Sequence, residues 1–137
     1  MRVVKVINAP LERVWEILTD TRQWPVWGPS VSRVACPQRF ISPGLQGRLK
    51  TAVGIWVTFE ITRCEAPVFW DWKVAGVAAT GHRLTKLTDN SCELVFELPF
   101  AAFPYALICR RAANRIARLA LQDLLLPAGE TEGDANA

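Results

Sequence analysis

Histidine, tyrosine and cysteine are the side chains in this 137-residue sequence best suited to moving a proton or attacking a carbon, and each is scarce. His82 is the only histidine, and an imidazole titrates near neutrality, which makes it the candidate general acid or base. Its neighbours Gly81 and Arg83 read as the beginning of a strand, and no acid lies close in sequence to orient the ring. A structural or solvent-facing histidine is the alternative. Tyr105 is the only tyrosine. Cys36, Cys64, Cys92 and Cys109 are dispersed, without a CxxC pair, and read as buried free thiols rather than as ligands of a metal shared with His82. Glu60, Asp71 and Lys73 alternate with apolar neighbours, so they are expected to point outward into water. Nothing has the spacing of a nucleophile with its base, a phosphate loop or a metal cluster, so neither cofactor nor metal is expected.

These groups sit in a chain that is half hydrophobic and 21% charged, with a net charge of +3, as ordinary globular domains are. One domain is expected over residues 1–127, followed by a small acidic tail, 128–137, without structure of its own. The cations do not form a dense basic run with stacking aromatics, which argues against a nucleic-acid partner. No stretch approaches the roughly 20 apolar residues of a membrane span, and the N-terminus lacks the pattern of a secretory signal. With the dispersed thiols, this leads to the expectation of a cytoplasmic protein.

The elements follow from periodicity. Arg2 to Ile7 reads as a strand, and Pro10 opens a short helix on which Leu11, Val14, Trp15 and Leu18 make one apolar face, ending near Asp20. Trp24-Pro25-Val26-Trp27-Gly28-Pro29 forms a second, broken helical turn. From Ser30 to Leu98 the period is two. Ile55, Val57, Phe59 and Ile61 share one face; Trp70, Trp72 and Val74 form another row; Cys92, Leu94, Phe96 and Leu98 form a third. One-sided rows of this kind belong to antiparallel sheet. Turns are read at Pro43-Gly44, Gly54, Ala66-Pro67 and Asp89-Asn90-Ser91. Between Gly81 and Asp89 both registers are plausible, one turning His82, Leu84 and Lys86 inward and the other Arg83, Thr85 and Leu87. Phe103 to Leu126 reads as one long helix, stopped by Pro127. Its polar arc holds Arg110, Arg111, Asn114, Arg115, Arg118 and Gln122, and Cys109, Ala113, Ile116 and Ala120 centre its apolar arc, flanked by Tyr105 and Ala112.

Strand, short helix pair, antiparallel strands and a long final helix are the order of the α+β helix-grip fold. The chain resembles the START-like superfamily, which groups polyketide cyclase and dehydrase relatives (SRPBCC proteins) with lipid-transfer domains. The resemblance rests on Ile7-Asn8-Ala9-Pro10-Leu11-Glu12-Arg13-Val14-Trp15, on Trp24-Pro25-Val26-Trp27, and on Val57-Thr58-Phe59-Glu60-Ile61-Thr62 with Ala66-Pro67. It implies a curved antiparallel sheet wrapped around the long helix, with a hydrophobic cavity between them.

The small residues at the centre of the last helix face rows of large aromatic ones, which is compatible with an apolar pocket; alanines that merely let the helix approach the sheet are the alternative. Trp27, Phe59, Trp72, Leu84, Phe96, Tyr105, Cys109, Ala112, Ala113 and Ile116 are the expected lining. Trp24 and Trp27 are read as a lid or a satellite core, with Trp27 reaching the ligand. The leading expectation is a binding protein for an aromatic, polyketide-like or lipid-like molecule, oriented by Tyr105 or His82. An aromatase or cyclase using those two groups for proton transfer is the second reading. A third is an interaction module in which Arg111, Arg115 and Arg118 meet an acidic partner or a membrane surface.

Overall fold

The computed structural model describes residues 2–98 and 103–125, with side chains described at 2–98 and 106–122. The tail expected at 128–137 lies outside the described residues. The elements are β1 (Arg2–Ile7), α1 (Leu11–Thr19), α2 (Trp24–Trp27), β2 (Val31–Ala35), β3 (Gln46–Thr51), β4 (Trp56–Glu65), β5 (Phe69–Val74), β6 (Val77–Thr88), β7 (Ser91–Glu97) and α3 (Phe103–Leu125). This is the expected α+β order.

All seven strands form one antiparallel sheet in the order β1-β7-β6-β5-β4-β3-β2. The first two strands of the chain are therefore its two edges, and α1 with α2 carries the chain from one edge to the other. Breaks in register at Ile61/Arg63 and Asp71/Lys73 interrupt the middle of the sheet, where such irregularities increase twist and curvature. Helix α3 packs against β1, α1 and α2. Its buried side is Cys109, Ala112, Ala113, Ile116, Ala117 and Ala120, with Arg110, Arg111, Asn114 and Arg118 exposed and Arg115 half-buried.

Two departures from the sequence reading have local causes. Ile55 does not continue the buried row of β4. It belongs to the turn closed by Thr51 N–H to the Ile55 carbonyl, and it stands exposed. His82 does not begin a strand but lies in the middle of one, because β6 starts at Val77, directly after a two-residue turn at Ala75-Gly76. Both turn residues have positive φ (54° and 77°), the requirement of a tight type I′ hairpin. Alanine seldom adopts that conformation, so the turn carried little sequence signal.

The link between α1 and α2 is pinned by a buried carboxylate. Asp20 Oδ2 accepts from Arg39 Nε (3.1 Å) and Nη2 (3.0 Å), while Oδ1 accepts the Arg22 backbone N–H at 3.0 Å. Thr21 adds hydrogen bonds to the carbonyls of Gln38 and Arg39. The pair holds the Arg39 guanidinium above its usual pKa. These contacts fix the chain just ahead of Trp24 and Trp27.

Candidate functional site

The sheet register brings together residues that are remote in sequence. His82 lies opposite Trp70 on one side and Phe96 on the other. Directly opposed residues share a face, so the three rings stand side by side on the concave side of the sheet. The register left open between Gly81 and Asp89 is thus the one that turns His82 and Leu84 inward, and both are buried. From the opposite wall, α2 contributes Trp24 and Trp27. Both belong to the main core, which removes the satellite-core alternative for these two rings.

Trp24 stacks on Trp70 at 5.5 Å and 8°, and Trp70 stacks on His82 at 3.8 Å and 16°. Trp72 and Phe59 meet Trp24 edge-on. Trp27 approaches His82 at 6.5 Å and Phe96 at 6.3 Å.

One hydrogen-bonded chain runs through this cluster, and its direction can be derived. His82 Nδ1 lies 3.2 Å from the Trp70 carbonyl oxygen, which can only accept, so Nδ1 carries the proton. His82 is 1% exposed, and burial pushes its pKa down to about 3 against the opposing effect of the Trp70 carbonyl bond. The ring is therefore neutral at pH 7, and Nε2 is an acceptor. The Thr80 hydroxyl, 3.1 Å away, donates to it, and Thr80 Oγ1 in turn accepts the Trp72 indole N–H at 3.2 Å. Trp24 and Trp27 donate their indole N–H groups to the carbonyls of Leu18 (3.0 Å) and Ile17 (3.2 Å). The indole N–H of Trp70 is buried and has no hydrogen-bond partner among the described residues.

A recess opens beside this chain. The α2 wall, the Gly28–Val31 segment, Trp72, Thr80, His82 and Phe96 enclose it, and Ile108, Cys109 and Ala112 of α3 close the far side. Its volume is about 40 Å³, room for about one water molecule, whereas pockets for small ligands run to roughly 300–1,000 Å³. The rings expected to surround a cavity instead fill most of it by packing against one another.

Of the expected lining residues, Trp27, Trp72, Phe96, Cys109 and Ala112 border the recess, and His82 joins them. Phe59, Leu84, Ala113 and Ile116 do not border it; they are buried in the surrounding core. The Phe59 ring lies over Gly47, where a Cβ would stand 2.7 Å from it, and packs edge-on against Trp24 and Trp72. Tyr105 falls in the first turn of α3, and its side chain is outside those described. Thr80 was not singled out from sequence. The signal available was its place two residues before His82 on one strand, which puts both on the same face.

Cys92 and Cys109 are buried, and desolvation raises both thiols to about 11; Cys36 and Cys64 are half-buried and free. Among the described residues no cluster of three or more His, Cys, Asp or Glu could hold a metal ion, and no helix is long and apolar enough to cross a membrane.

Comparison with known proteins agrees with this architecture. The aromatase/cyclase Zhui from Streptomyces sp. R1128 superposes with a TM-score of 0.69 at 16% identity, covering 94% of this chain and 96% of that one. The protein XoxI from Bacillus cereus gives 0.67 at 11% identity, over 88% and 94% of the two chains. The di-domain aromatase/cyclase StfQ of the steffimycin biosynthetic pathway gives 0.65 at 15% identity, over 88% of this chain and 44% of that one. No curated protein matches in sequence. At such identities these likenesses establish the fold. The family model described as "Polyketide cyclase / dehydrase and lipid transport" matches residues 1–125, and the chain belongs to that family.

Proposed function

We propose that the protein binds a small, flat, predominantly apolar molecule, aromatic or polyketide-like, in the recess between α2, the β5–β6 strands and α3. The observation that carries this reading is a wall of aromatic rings whose indole and imidazole groups, those of Trp24, Trp27, Trp72 and His82, are hydrogen-bonded within the protein. Such a wall offers apolar contact, worth about 25 cal/mol per Å² buried, and few competing polar demands. The exception is Thr80 Oγ1. It donates one bond and accepts one, so one lone pair remains, which suits a ligand hydroxyl such as a phenol.

Admission of the ligand requires a ring to move. Trp27 is the candidate, because it stands on a single turn of helix, and its indole N–H makes one bond, to the Ile17 carbonyl. Apolar cavities of about 150 Å³ hold benzene, so displacement of one indole gives space of ligand scale. Tyr105, at the start of α3, would orient a polar end of the ligand. The dispersed free thiols suit a reducing, cytoplasmic setting.

Titration with 2-naphthol, followed by its fluorescence, tests the reading. Ala112→Phe fills the recess and is expected to weaken binding at least tenfold, while Trp27→Ala opens it and strengthens binding, with both variants folded by circular dichroism. Equal affinity of wild type and Ala112→Phe would refute it.

Catalysis of the cyclase type in the same recess is a second reading, favoured by the placement of His82 in its wall. A neutral imidazole of pKa about 3 has no second proton to give at pH 7, so His82 would act by polarising the Thr80 hydroxyl. Turnover of a poly-β-ketone by wild type, lost in His82→Gln with binding retained, is the expected outcome of that reading.

A further inference from the structure

We infer that the β3–β4 hairpin is a docking surface for an anionic lipid bilayer. Its apex presents Val53 at 80% exposure and Ile55 at 60%, and Trp56 follows at 40%. Surface apolar residues are common singly, but three within four positions at the tip of one hairpin form a protrusion. The apex turn is internally bonded: Gly54 N–H and the Ile55 carbonyl both pair with the Thr51 backbone, so it is a built tip rather than a loose loop.

Behind the tip lies a row of cations. Arg33 pairs with Lys50 across β2–β3, and Lys50 pairs with Trp56 across β3–β4, so all three share the outer face of the sheet. Arg48, two residues along β3, places its guanidinium 5.4 Å from the Trp56 ring. Arg33, Arg48 and Lys50 take part in none of the ion pairs among the described residues. From Thr21 to Phe59 the sequence contains no Asp or Glu, and Glu60, four residues beyond Trp56 and paired with Lys73, is the next acid on that face.

Geometry and charge together select the occupant. Exposed apolar side chains at the end of a hairpin can enter a yielding medium. At roughly 3.3 Å per residue, Lys50 and Trp56 stand about 5–10 Å behind Val53. That is the depth at which an interfacial element leaves its apolar part among acyl chains and its cations among phosphates. The indole beside Arg48 suits the same boundary.

Docking would also bring the recess to the lipid. Ala52 N–H donates to the Ser30 carbonyl at 3.1 Å, and Ser30 and Val31 border the recess. The surface stands without the ligand reading; only the idea that ligand passes between bilayer and recess rests on it.

Co-sedimentation with vesicles of phosphatidylglycerol and phosphatidylcholine at low salt tests the inference, using the full chain. Wild type is expected to sediment with these vesicles, to be released by 0.5 M salt, and to ignore pure phosphatidylcholine. The pair Val53→Ser/Ile55→Ser should lose at least tenfold in affinity, and each of Arg33→Gln and Lys50→Gln about fivefold. Arg111→Gln/Arg115→Gln, on the α3 face, should bind as wild type. Thermal melts matching wild type establish that the variants are folded. Failure of wild type to bind anionic vesicles overturns the inference and leaves the tip to an acidic protein. Undiminished binding by the hairpin variants overturns it too. Naphthol binding is unaffected in either case, so the two readings fail separately.

Discussion

His82 shows how far a single side chain's chemistry depends on its surroundings. In sequence it is a potential acid or base; in the fold it is buried, accepting from the Thr80 hydroxyl at Nε2 and donating to the Trp70 carbonyl from Nδ1. Its pKa near 3 has a measurable consequence. On acidification the unfolded chain takes up this proton near pH 6.5, while the folded protein does not until about pH 3. Stability is therefore full above about pH 6.5 and falls between those values, with about 2 kcal/mol lost by pH 5. No other histidine is present, so urea unfolding of wild type and of His82→Gln at pH 7.5 and 5.0 separates its effect from that of the other titrating groups. His82→Gln should remove most of the difference, whatever its own stability. Gly47 is a second position where one atom matters. Gly47→Ala would drive a methyl into the Phe59 ring and the Ala35 carbonyl, and is expected to destabilise by about 1–3 kcal/mol in denaturant titration.

Among the elements, those with strong internal periodicity were legible before the fold was known. The apolar face of α1, the wide apolar arc of α3 and the rows of β4, β5 and β7 all follow from local spacing. The β5–β6 hairpin was not, because its turn uses Ala75 at positive φ rather than the usual asparagine. Ala75→Asn should consequently stabilise the protein, by about 0.5–1 kcal/mol, seen as a rise of a few degrees in Tm. The α1–α2 link depends instead on one ion pair, in which the Asp20 carboxylate is buried and Arg39 is partly exposed. Asp20→Ala leaves the partly exposed Arg39 and the Arg22 N–H without their acceptor. A loss of about 1–3 kcal/mol is expected by thermal unfolding, with faster hydrogen exchange at Trp24 and Trp27 than in β6.

At the scale of the molecule, the grip of the sheet on α3 distinguishes two alanines that the sequence both assigned to the cavity lining. Ala113 is enclosed in the core, whereas Ala112 borders the recess. Ala113→Leu should cost about 1–3 kcal/mol by overpacking, and Ala112→Val about 0.5 kcal/mol or less, compared by chemical denaturation. The order of elements, their inward faces and the resemblance to helix-grip proteins were present in the sequence, because periodicity is a property of neighbouring residues. Whether the interior stays open is not. It depends on how Trp24 and Trp27 from one wall meet Trp70, Trp72, His82 and Phe96 from the sheet, and on the space Gly47 leaves for the Phe59 ring. Ring-to-ring contacts between strands far apart in the chain have no local signature, so only the tertiary structure decided that the rings close over one another and leave a recess of about 40 Å³.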